Sequence, residues 1–255
     1  DGTLWAWGDN DKGELGLNNA TPGYSSPTQV GTDTTWGSST WNTSMVTTKN
    51  SYVVKTDGTL WGWGDNANGQ LGLNDVVLHS SPVQIPGVWA QATNHSTMTI
   101  SESYDASVFA IKANGTLWAW GENEFGNLGL NQAEAQLANI SSPTQIGTET
   151  TWKSVAFGGM ATKTDGTLWT WGQQSWSGKL GLNDILSRSS PTQVPGTDWS
   201  DISGNASPSS CGAIKTDGTL WTWGFNGPAP APRGLLGQNN GINYSSPTQV
   251  GTDTN

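Results

Sequence analysis

The sequence has a single cysteine, few charges and no long hydrophobic run, and each shortage excludes a class of protein. Cys211 has no second cysteine for an intrachain disulfide and no companion thiolates for a cysteine-based zinc site. No run approaches the roughly 18 consecutive apolar residues that a membrane-spanning helix needs. The composition therefore predicts a chain without an intrachain disulfide, a zinc–thiolate centre or a helical membrane span.

Charge is scarce and mostly negative. Only 12% of the 255 residues are charged, and 20 acidic residues against 10 basic ones give a formal net charge of −10. Such a surface repels phosphate groups, so we expect neither nucleic acid nor an anionic membrane as the main partner. Polarity comes instead from 80 Ser, Thr and Asn residues, which with 34 glycines favour turns and strands over helix interiors. This composition suits an extracellular or virion-surface protein better than a nuclear one.

Tryptophan is abundant, with 16 copies, and most copies belong to a repeat. The motif Asp/Asn-Gly-Thr-Leu-Trp-x-Trp-Gly begins at Asp1, Asp57, Asn114, Asp165 and Asp217. Each copy is followed by Leu-Gly-Leu/Gln-Asn and then by Ser-Ser-Pro, and four copies are followed by a lone tryptophan (Trp36, Trp89, Trp152 and Trp199). Self-similarity at a period of about 50 residues predicts a repeat array. Its units are approximately residues 1–35, 36–88, 89–151, 152–198 and 199–255.

Each unit carries the pattern of a β-hairpin, because Asp-Gly stands between two apolar runs. In the strand that follows, alternate residues face opposite sides, so we expect Trp61 and Trp63 to share one face and Leu60 and Gly62 the other. Both faces are apolar or small, which indicates sheets buried on both sides. The sequence therefore predicts an all-β fold, a β-propeller with about five visible blades, four complete and a partial first one. A β-solenoid is the less favoured alternative.

The paired tryptophans are the predicted structural core of the repeat, filling the space between successive sheets. They are Trp5, Trp7, Trp61, Trp63, Trp118, Trp120, Trp169, Trp171, Trp221 and Trp223. Because these large rings supply most of the buried apolar area, we expect the fold to need few long aliphatic side chains.

The repeat resembles that of the regulator-of-chromosome-condensation family, whose unit reads Asp-Gly, Trp-Gly, Asn and Gly-Gln-Leu-Gly in this order. The second unit matches closely at Asp57-Gly58, Trp63-Gly64, Asn66 and Gly69–Gly72. The resemblance implies a β-propeller, commonly of seven blades with four strands each. The founding member is a nuclear exchange factor that binds chromatin. That role implies a basic tail and a basic face, which this chain lacks, so an exchange-factor-like regulator is an unfavoured alternative.

Two departures from the family pattern bear on function. The chain has five copies; the first begins inside a unit and the last stops where a lone tryptophan should follow. We therefore expect missing flanking repeats or self-assembly through open strand edges. The spacing between the lone tryptophan and the next hairpin motif also varies. Insertions at one place in a repeat collect on one face, often the binding face.

The candidate partner-binding residues are those that fit no repeat position. Trp41 and Trp176 lie in polar segments, where an exposed indole stacks on a sugar or anchors a protein, unless the ring folds back onto its own loop. The segment from Phe225 to Arg233 has alternating prolines, which predict a stiff recognition finger or a rigid spacer. The candidates are thus Trp41, Trp176, Phe225 and Arg233, with a protein or glycan as partner.

No constellation of residues predicts catalysis, a metal site or a cofactor. The loop Asp9–Glu14 looks like a calcium loop but lacks the ligand spacing, and its Asn and Gly residues suit a turn. His79 and His95 have no counterparts in other units, and no nucleophile-elbow motif accompanies them. We therefore expect a non-catalytic binding or structural module. The alternatives are a lectin-like carbohydrate binder and an architectural subunit assembling through open strand edges.

Overall fold

The protein folds into successive antiparallel sheets, each built from one stretch of chain. The computed structural model describes residues 1–20, 23–37, 44–46, 49–90, 100–102, 106–132, 138–156, 158–174, 176–204, 209–227 and 234–254. Within these ranges lie 18 strands and no helix. The strands form one two-stranded sheet followed by four four-stranded sheets, which confirms the predicted partial first unit and four complete ones.

Strand order within each sheet equals chain order, and every strand is antiparallel to its neighbours. The first sheet contains β1 (Trp5–Gly8) and β2 (Tyr24–Gln29). The second contains β3 (Ser44–Val46), β4 (Asn50–Val54), β5 (Leu60–Gly64) and β6 (His79–Ile85). The third contains β7 (Ile100–Glu102), β8 (Ser107–Ile111), β9 (Leu117–Gly121) and β10 (Ile140–Gln145). The fourth contains β11 (Trp152–Ala156), β12 (Met160–Lys163), β13 (Leu168–Gly172) and β14 (Arg188–Val194). The fifth contains β15 (Trp199–Gly204), β16 (Ser210–Lys215), β17 (Leu220–Gly224) and β18 (Tyr244–Gln249).

The Asp-Gly-Thr motif forms the hairpin turn that its sequence predicts. Between β4 and β5, the Gly58 N–H donates to the Lys55 carbonyl at 2.9 Å, and Gly58 adopts a φ of +82°. The Asp57 carboxylate accepts hydrogen bonds from the Thr59 N–H and hydroxyl, at 2.9 and 2.7 Å. The Thr59 hydroxyl oxygen in turn accepts the indole N–H of Trp61 at 2.9 Å. One chain of hydrogen bonds therefore ties the turn to the first tryptophan of the pair.

The two tryptophans of a pair share one face of the sheet, as predicted, and the lone tryptophan packs against both. Trp36 meets Trp61 and Trp63 edge to face, with ring centroids 5.9 and 6.2 Å apart. The second tryptophan is the buried one in each four-stranded sheet, while the first is partly buried. These buried second tryptophans are Trp63, Trp120, Trp171 and Trp223.

Each enclosed indole sits on a glycine of the preceding sheet's unit. Gly72 adopts a φ of +68°, and a Cβ atom placed on it would lie 2.9 Å from Trp120 Nε1. The Trp120 indole N–H donates to the carbonyl of Gln70, two residues earlier, at 2.6 Å. The same contact between glycine and ring joins Gly16 to Trp63, Gly129 to Trp171 and Gly181 to Trp223. The Leu-Gly-Leu-Asn motif is thus the seat for the next sheet's tryptophan.

The opposite face of the second, third and fourth sheets is aliphatic and packs against the next sheet's tryptophan face. Leu60 and Ile85 of the second sheet share one buried cluster with Val108 and Trp120 of the third. Equivalent clusters join the third sheet to the fourth and the fourth to the fifth. Both faces of these sheets are therefore buried, in agreement with the apolar pattern of the sequence.

The prediction that all ten paired tryptophans form the core is wrong for the first pair. Trp5 and Trp7 are 49% and 59% exposed, because no described sheet packs on their face. The fifth sheet shows the complementary exposure, with Leu220 and Ile214 42% and 40% exposed, whereas Leu60 is fully buried. Burial of these side chains depends on a neighbouring sheet and not on their own strand.

Replacing Gly72 with alanine tests the seat under the indole. The new methyl group would collide with Trp120. The alanine would also have to keep the left-handed backbone of Gly72, which is unfavourable for a residue with a Cβ atom. The control is Gly147→Ala, because Gly147 has a φ of +61° but nothing within 4 Å of the added Cβ. We expect the control to lose about 1 kcal/mol of unfolding free energy. Gly72→Ala should lose about 1–3 kcal/mol more in urea titrations; equal losses would show that the ring does not rest on the glycine.

Acid should weaken the protein through the hairpin carboxylates. Hydrogen bonds from Thr59 lower the pKa of Asp57, and Thr167 and Thr219 do the same for Asp165 and Asp217. A folded-state pKa below the unfolded value adds stability above about pH 4, which is lost as the pH falls through the folded-state value. The third unit has Asn114, whose amide oxygen accepts the same two bonds from Thr116. The variant with Asp57, Asp165 and Asp217 all replaced by asparagine should therefore fold at pH 7. Between pH 5 and pH 2 its melting temperature should fall less than that of wild type. An unchanged acid response would contradict this assignment.

Candidate functional site

The antiparallel meander sorts the connections onto two ends of the sheets. The hairpin turns, such as residues 112–116, and the links between sheets lie at one end, which we call the turn face. The loops between third and fourth strands, such as residues 173–187, lie at the other end, which we call the loop face. Residues 38–43 and 91–99, which carry much of the length variation between units, lie outside the described residues. The collection of insertions on one face therefore stays a prediction.

Two of the predicted binding residues, Trp176 and Phe225, meet on the loop face. Trp176 lies in the loop between β13 and β14, and Phe225 directly follows β17 of the next sheet. Their ring centroids are 5.3 Å apart and the ring planes cross at 83°. The Trp176 side chain is 69% exposed, the largest exposure among the large hydrophobic residues described. The indole therefore projects into solvent instead of folding back as a plug.

The main chain holds Phe225 firmly at the end of its strand. The Phe225 N–H donates to the Ser209 carbonyl at 2.7 Å, and the Phe225 carbonyl accepts the Ser210 hydroxyl at 2.7 Å. In the other units the residue after Trp-Gly is polar: Asp9, Asp65, Glu122 and Gln173. The sequence analysis selected Phe225 through the proline-rich segment that follows it; comparison of this position among the units is the signal that could have singled out the aromatic ring, but it does not bring the ring to Trp176.

The other two candidates are outside the structural description. Trp41 and Arg233 lie outside the described residues, as does the proline-rich stretch 228–233. Their part in binding stays a prediction.

The loop that looks like a calcium site is a turn closed by its own side chains. Asn10 accepts the Leu15 N–H at 3.1 Å with its amide oxygen and donates its amide to Asn19. Glu14 accepts the Lys12 N–H at 2.7 Å. The equivalent asparagines Asn66, Asn123 and Asn226 make the same bond to the leucine of the next motif. The part of the chain that is described holds no group of three or more His, Cys, Asp or Glu residues arranged for a metal ion.

The isolated reactive side chains are held in structural contacts. His79 Nε2 lies 3.3 Å from the Asp75 carboxylate at the start of β6, and His95 lies outside the described residues. Burial raises the pKa of the Cys211 thiol to about 11, so the thiolate form is scarce at neutral pH. No helix long and apolar enough to span a membrane occurs in the described ranges.

A lysine recurs on the turn face, where it lies between two indoles. In the second unit, Lys55 Nζ is 4.2 Å from the ring centroid of Trp36 and 4.1 Å from that of Trp61. Lys112, Lys163 and Lys215 lie in the same way between the lone tryptophan and the first paired tryptophan of their units. An ammonium over two aromatic rings is stabilised by the partial negative charge on the ring faces.

Comparison with known proteins identifies relatives of this repeat. The family model described as "Regulator of chromosome condensation (RCC1) repeat" matches residues 1–41, 57–96 and 114–162. The ultraviolet-B receptor UVR8 of Arabidopsis thaliana is 30% identical over 204 residues, which cover 78% of this chain and 43% of the receptor.

Solved structures show the same fold. Human WBSCR16 superposes with a TM-score of 0.76 at 20% identity, over 99% of this chain and 63% of that one. Yeast RCC1 (Prp20), solved bound to Kap60, superposes with a TM-score of 0.72 at 18% identity, over 98% of this chain and 57% of that one. This chain thus spans less than two thirds of each of these proteins, and the likeness confirms a β-propeller architecture. By its repeats, its sheets and these matches, the chain belongs to the regulator of chromosome condensation (RCC1) repeat family.

Proposed function

We propose that this chain is a non-catalytic binding module that contacts a protein partner through its loop face, with Trp176 and Phe225 as the anchor. The observation that carries the proposal is the 69% exposure of Trp176, held edge-on by Phe225 of the next sheet. Exposed aromatic residues on a rigid scaffold are typical of the residues that dominate protein–protein binding energy.

The energy available at this pair is sufficient for an anchor. A tryptophan side chain buries about 150–250 Å² when enclosed, and most of that area is still exposed at Trp176. At about 25 cal/mol/Å², covering it contributes roughly 2–4 kcal/mol. Because Phe225 is tied to Ser209 and Ser210 through its main chain, less conformational freedom is lost on binding than for an aromatic residue in a free loop.

A protein partner fits the surroundings of Trp176 better than a glycan does. The side-chain amide of Gln174 is hydrogen-bonded within its own loop. Its nitrogen donates to the Asp184 carbonyl at 3.2 Å, and its oxygen accepts the Leu180 N–H at 3.2 Å. Sugar recognition needs polar groups beside the stacking ring, and the amide of this neighbour is already engaged by these two bonds. Yeast RCC1, whose solved structure has Kap60 bound, also supports a protein partner. The Ser, Thr and Asn content supports an extracellular or virion-surface setting for the contact.

Assembly through the outermost sheets is the second candidate function. Trp5 and Trp7 on the first sheet, and Leu220 and Ile214 on the fifth, are exposed where equivalent residues of other sheets are buried. The exposed face of the first sheet carries tryptophans and that of the fifth sheet carries aliphatic side chains. Inside the protein, faces of these two kinds pack against each other. An architectural subunit would use them for contacts between copies.

Peptides selected from a displayed random library against the wild-type chain test the anchor. We expect selected peptides to bind Trp176→Ala at least about tenfold more weakly, because a loss of about 1.4 kcal/mol corresponds to that factor. The control, Ile185→Ala, removes a 63% exposed side chain from the same loop and should change affinity less than twofold.

Other outcomes would favour the alternatives. Peptide binding that is insensitive to Trp176→Ala contradicts the proposal. A glycan array signal that Trp176→Ala abolishes would instead establish a lectin. Concentration-dependent sedimentation of wild type that Trp7→Ser abolishes would establish the architectural role.

A further inference from the structure

The recurrent turn-face lysine has a carboxylate partner in the second, fourth and fifth units and, among the described residues, has none in the third unit. Lys55 pairs with Asp33, Lys163 pairs with Glu149, and Lys215 Nζ lies 3.2 Å from Asp198. Each acid comes from the short segment that precedes the lone tryptophan of the unit. Lys112 makes no ion pair within the described part of the chain, although its indole contacts are the same in kind.

In the second and fourth units the acid stands three residues before the lone tryptophan, where the third unit has Pro86; in the fifth unit it stands immediately before the lone tryptophan, where the third unit has Val88. In the fifth unit, Asp198 immediately precedes Trp199, and its carbonyl accepts the Thr216 N–H at 2.8 Å. In the third unit, Val88 immediately precedes Trp89, and its carbonyl accepts the Ala113 N–H at 3.3 Å. Thr216 and Ala113 are the residues directly after the two lysines, so Val88 occupies the backbone position of Asp198. The valine side chain is 63% exposed and offers the ammonium no counter-charge.

Lys112 is nevertheless held in place as its sister lysines are. Its Nζ lies 3.4 Å from the ring centroid of Trp118 and 5.3 Å from that of Trp89. A Cβ atom placed on Gly87 would lie 3.1 Å from Lys112 Cε, so the aliphatic stem passes directly over this glycine. Burial lowers the pKa of Lys112, which is the expected effect when an ammonium loses water without gaining an anion.

We propose that Lys112, Trp89, Trp118 and Val88 form a docking site on the turn face for a glutamate or aspartate side chain of an acidic protein segment. The incoming carboxylate takes the place that Asp198 fills beside Lys215. The exposed Val88 side chain contacts the apolar stem or a neighbouring apolar residue of the same segment. This site lies on the face opposite to Trp176 and does not depend on the function proposed for that residue.

The chemistry of the partner follows from the sister units. Each partner that the protein itself provides for this lysine is a carboxylate on a short loop: Asp33, Glu149 and Asp198. With a net charge of −10, the protein as a whole repels an acidic peptide, so binding requires a local cation without a counter-charge. The partly desolvated setting between two indoles also strengthens the interaction relative to a fully exposed lysine.

A reciprocal exchange between the two units tests the proposal in the full chain. The probe is a fluorescein-labelled peptide, Gly-Glu-Leu-Glu-Gly, measured by anisotropy and by calorimetry at low ionic strength, with Gly-Gln-Leu-Gln-Gly as the neutral control. Wild type should bind one equivalent of the Glu peptide at least tenfold more tightly than the Gln peptide. Val88→Asp supplies the internal carboxylate and should abolish this preference, and Lys112→Gln should do the same. Asp198→Val opens the equivalent position beside Lys215 and should raise the stoichiometry to two.

Each outcome decides the matter. Val88 is exposed, so Val88→Asp should keep the wild-type melting temperature. Lys112→Gln keeps most of the lysine stem but loses the two cation–π contacts, so it should melt slightly lower and stay folded at the assay temperature, and both binding results then report on the site. The proposal is overturned if wild type shows no preference for the Glu peptide, or if Val88→Asp or Lys112→Gln retains it. It is also overturned if Asp198→Val adds no second site. Trp176→Ala should leave Glu-peptide binding unchanged, which separates this site from the loop-face anchor.

Discussion

The structure depends on one contact between successive sheets: an indole ring seated on a glycine. In three of the four contacts the ring also donates its N–H to a main-chain carbonyl two residues before that glycine, with Trp63 bonded to Glu14, Trp120 to Gln70 and Trp223 to Lys179. The position under the ring must be glycine, because the indole occupies the space that a side chain would need. The ring must be that of tryptophan, because the indole both fills the gap and reaches the carbonyl. Repeating this contact fixes the spacing of the sheets without many charges or long aliphatic residues. The asparagine of the same motif adds a second tie, as when the Asn74 N–H donates to the Ser141 carbonyl of the next sheet.

Much of the fold could be predicted because its information is local. The hairpin at Asp57-Gly58 and the shared face of Trp61 and Trp63 follow from turn chemistry and strand alternation within a few residues. The contact between Gly72 and Trp120 could not be predicted in this way, since it joins residues of different units and nothing in either unit specifies the other. The exposure of Trp5 was missed for the same reason. Its sequence is that of a buried tryptophan, but burial is supplied by a neighbouring sheet.

Functional candidates lie where one unit has an apolar residue and the other units have a polar one. Phe225 follows Trp-Gly where the other units have a polar residue, and Val88 precedes a lone tryptophan where Asp198 stands in the fifth unit. Sequence comparison among the units could find both departures. It could not show which residues they lie beside. Trp176, which contacts Phe225, comes from the neighbouring unit, and Lys112 lies 24 positions after Val88 in the chain. The repeat thus provides an internal reference: common residues build the sheets, and exceptions on the two faces are available for binding.

Hydrogen exchange of the indole N–H groups, followed by ¹⁵N NMR, tests the seated-indole contact most directly. The account predicts that Trp63, Trp120 and Trp223 exchange only with opening of the sheet-to-sheet contact, at least about a hundredfold more slowly than exposed Trp7 and Trp176. Gly72→Ala should accelerate exchange at Trp120 more than at Trp223. If Trp63, Trp120 and Trp223 exchanged as fast as Trp176 in the native protein, the indole rings would not join the sheets, and the central claim would be contradicted.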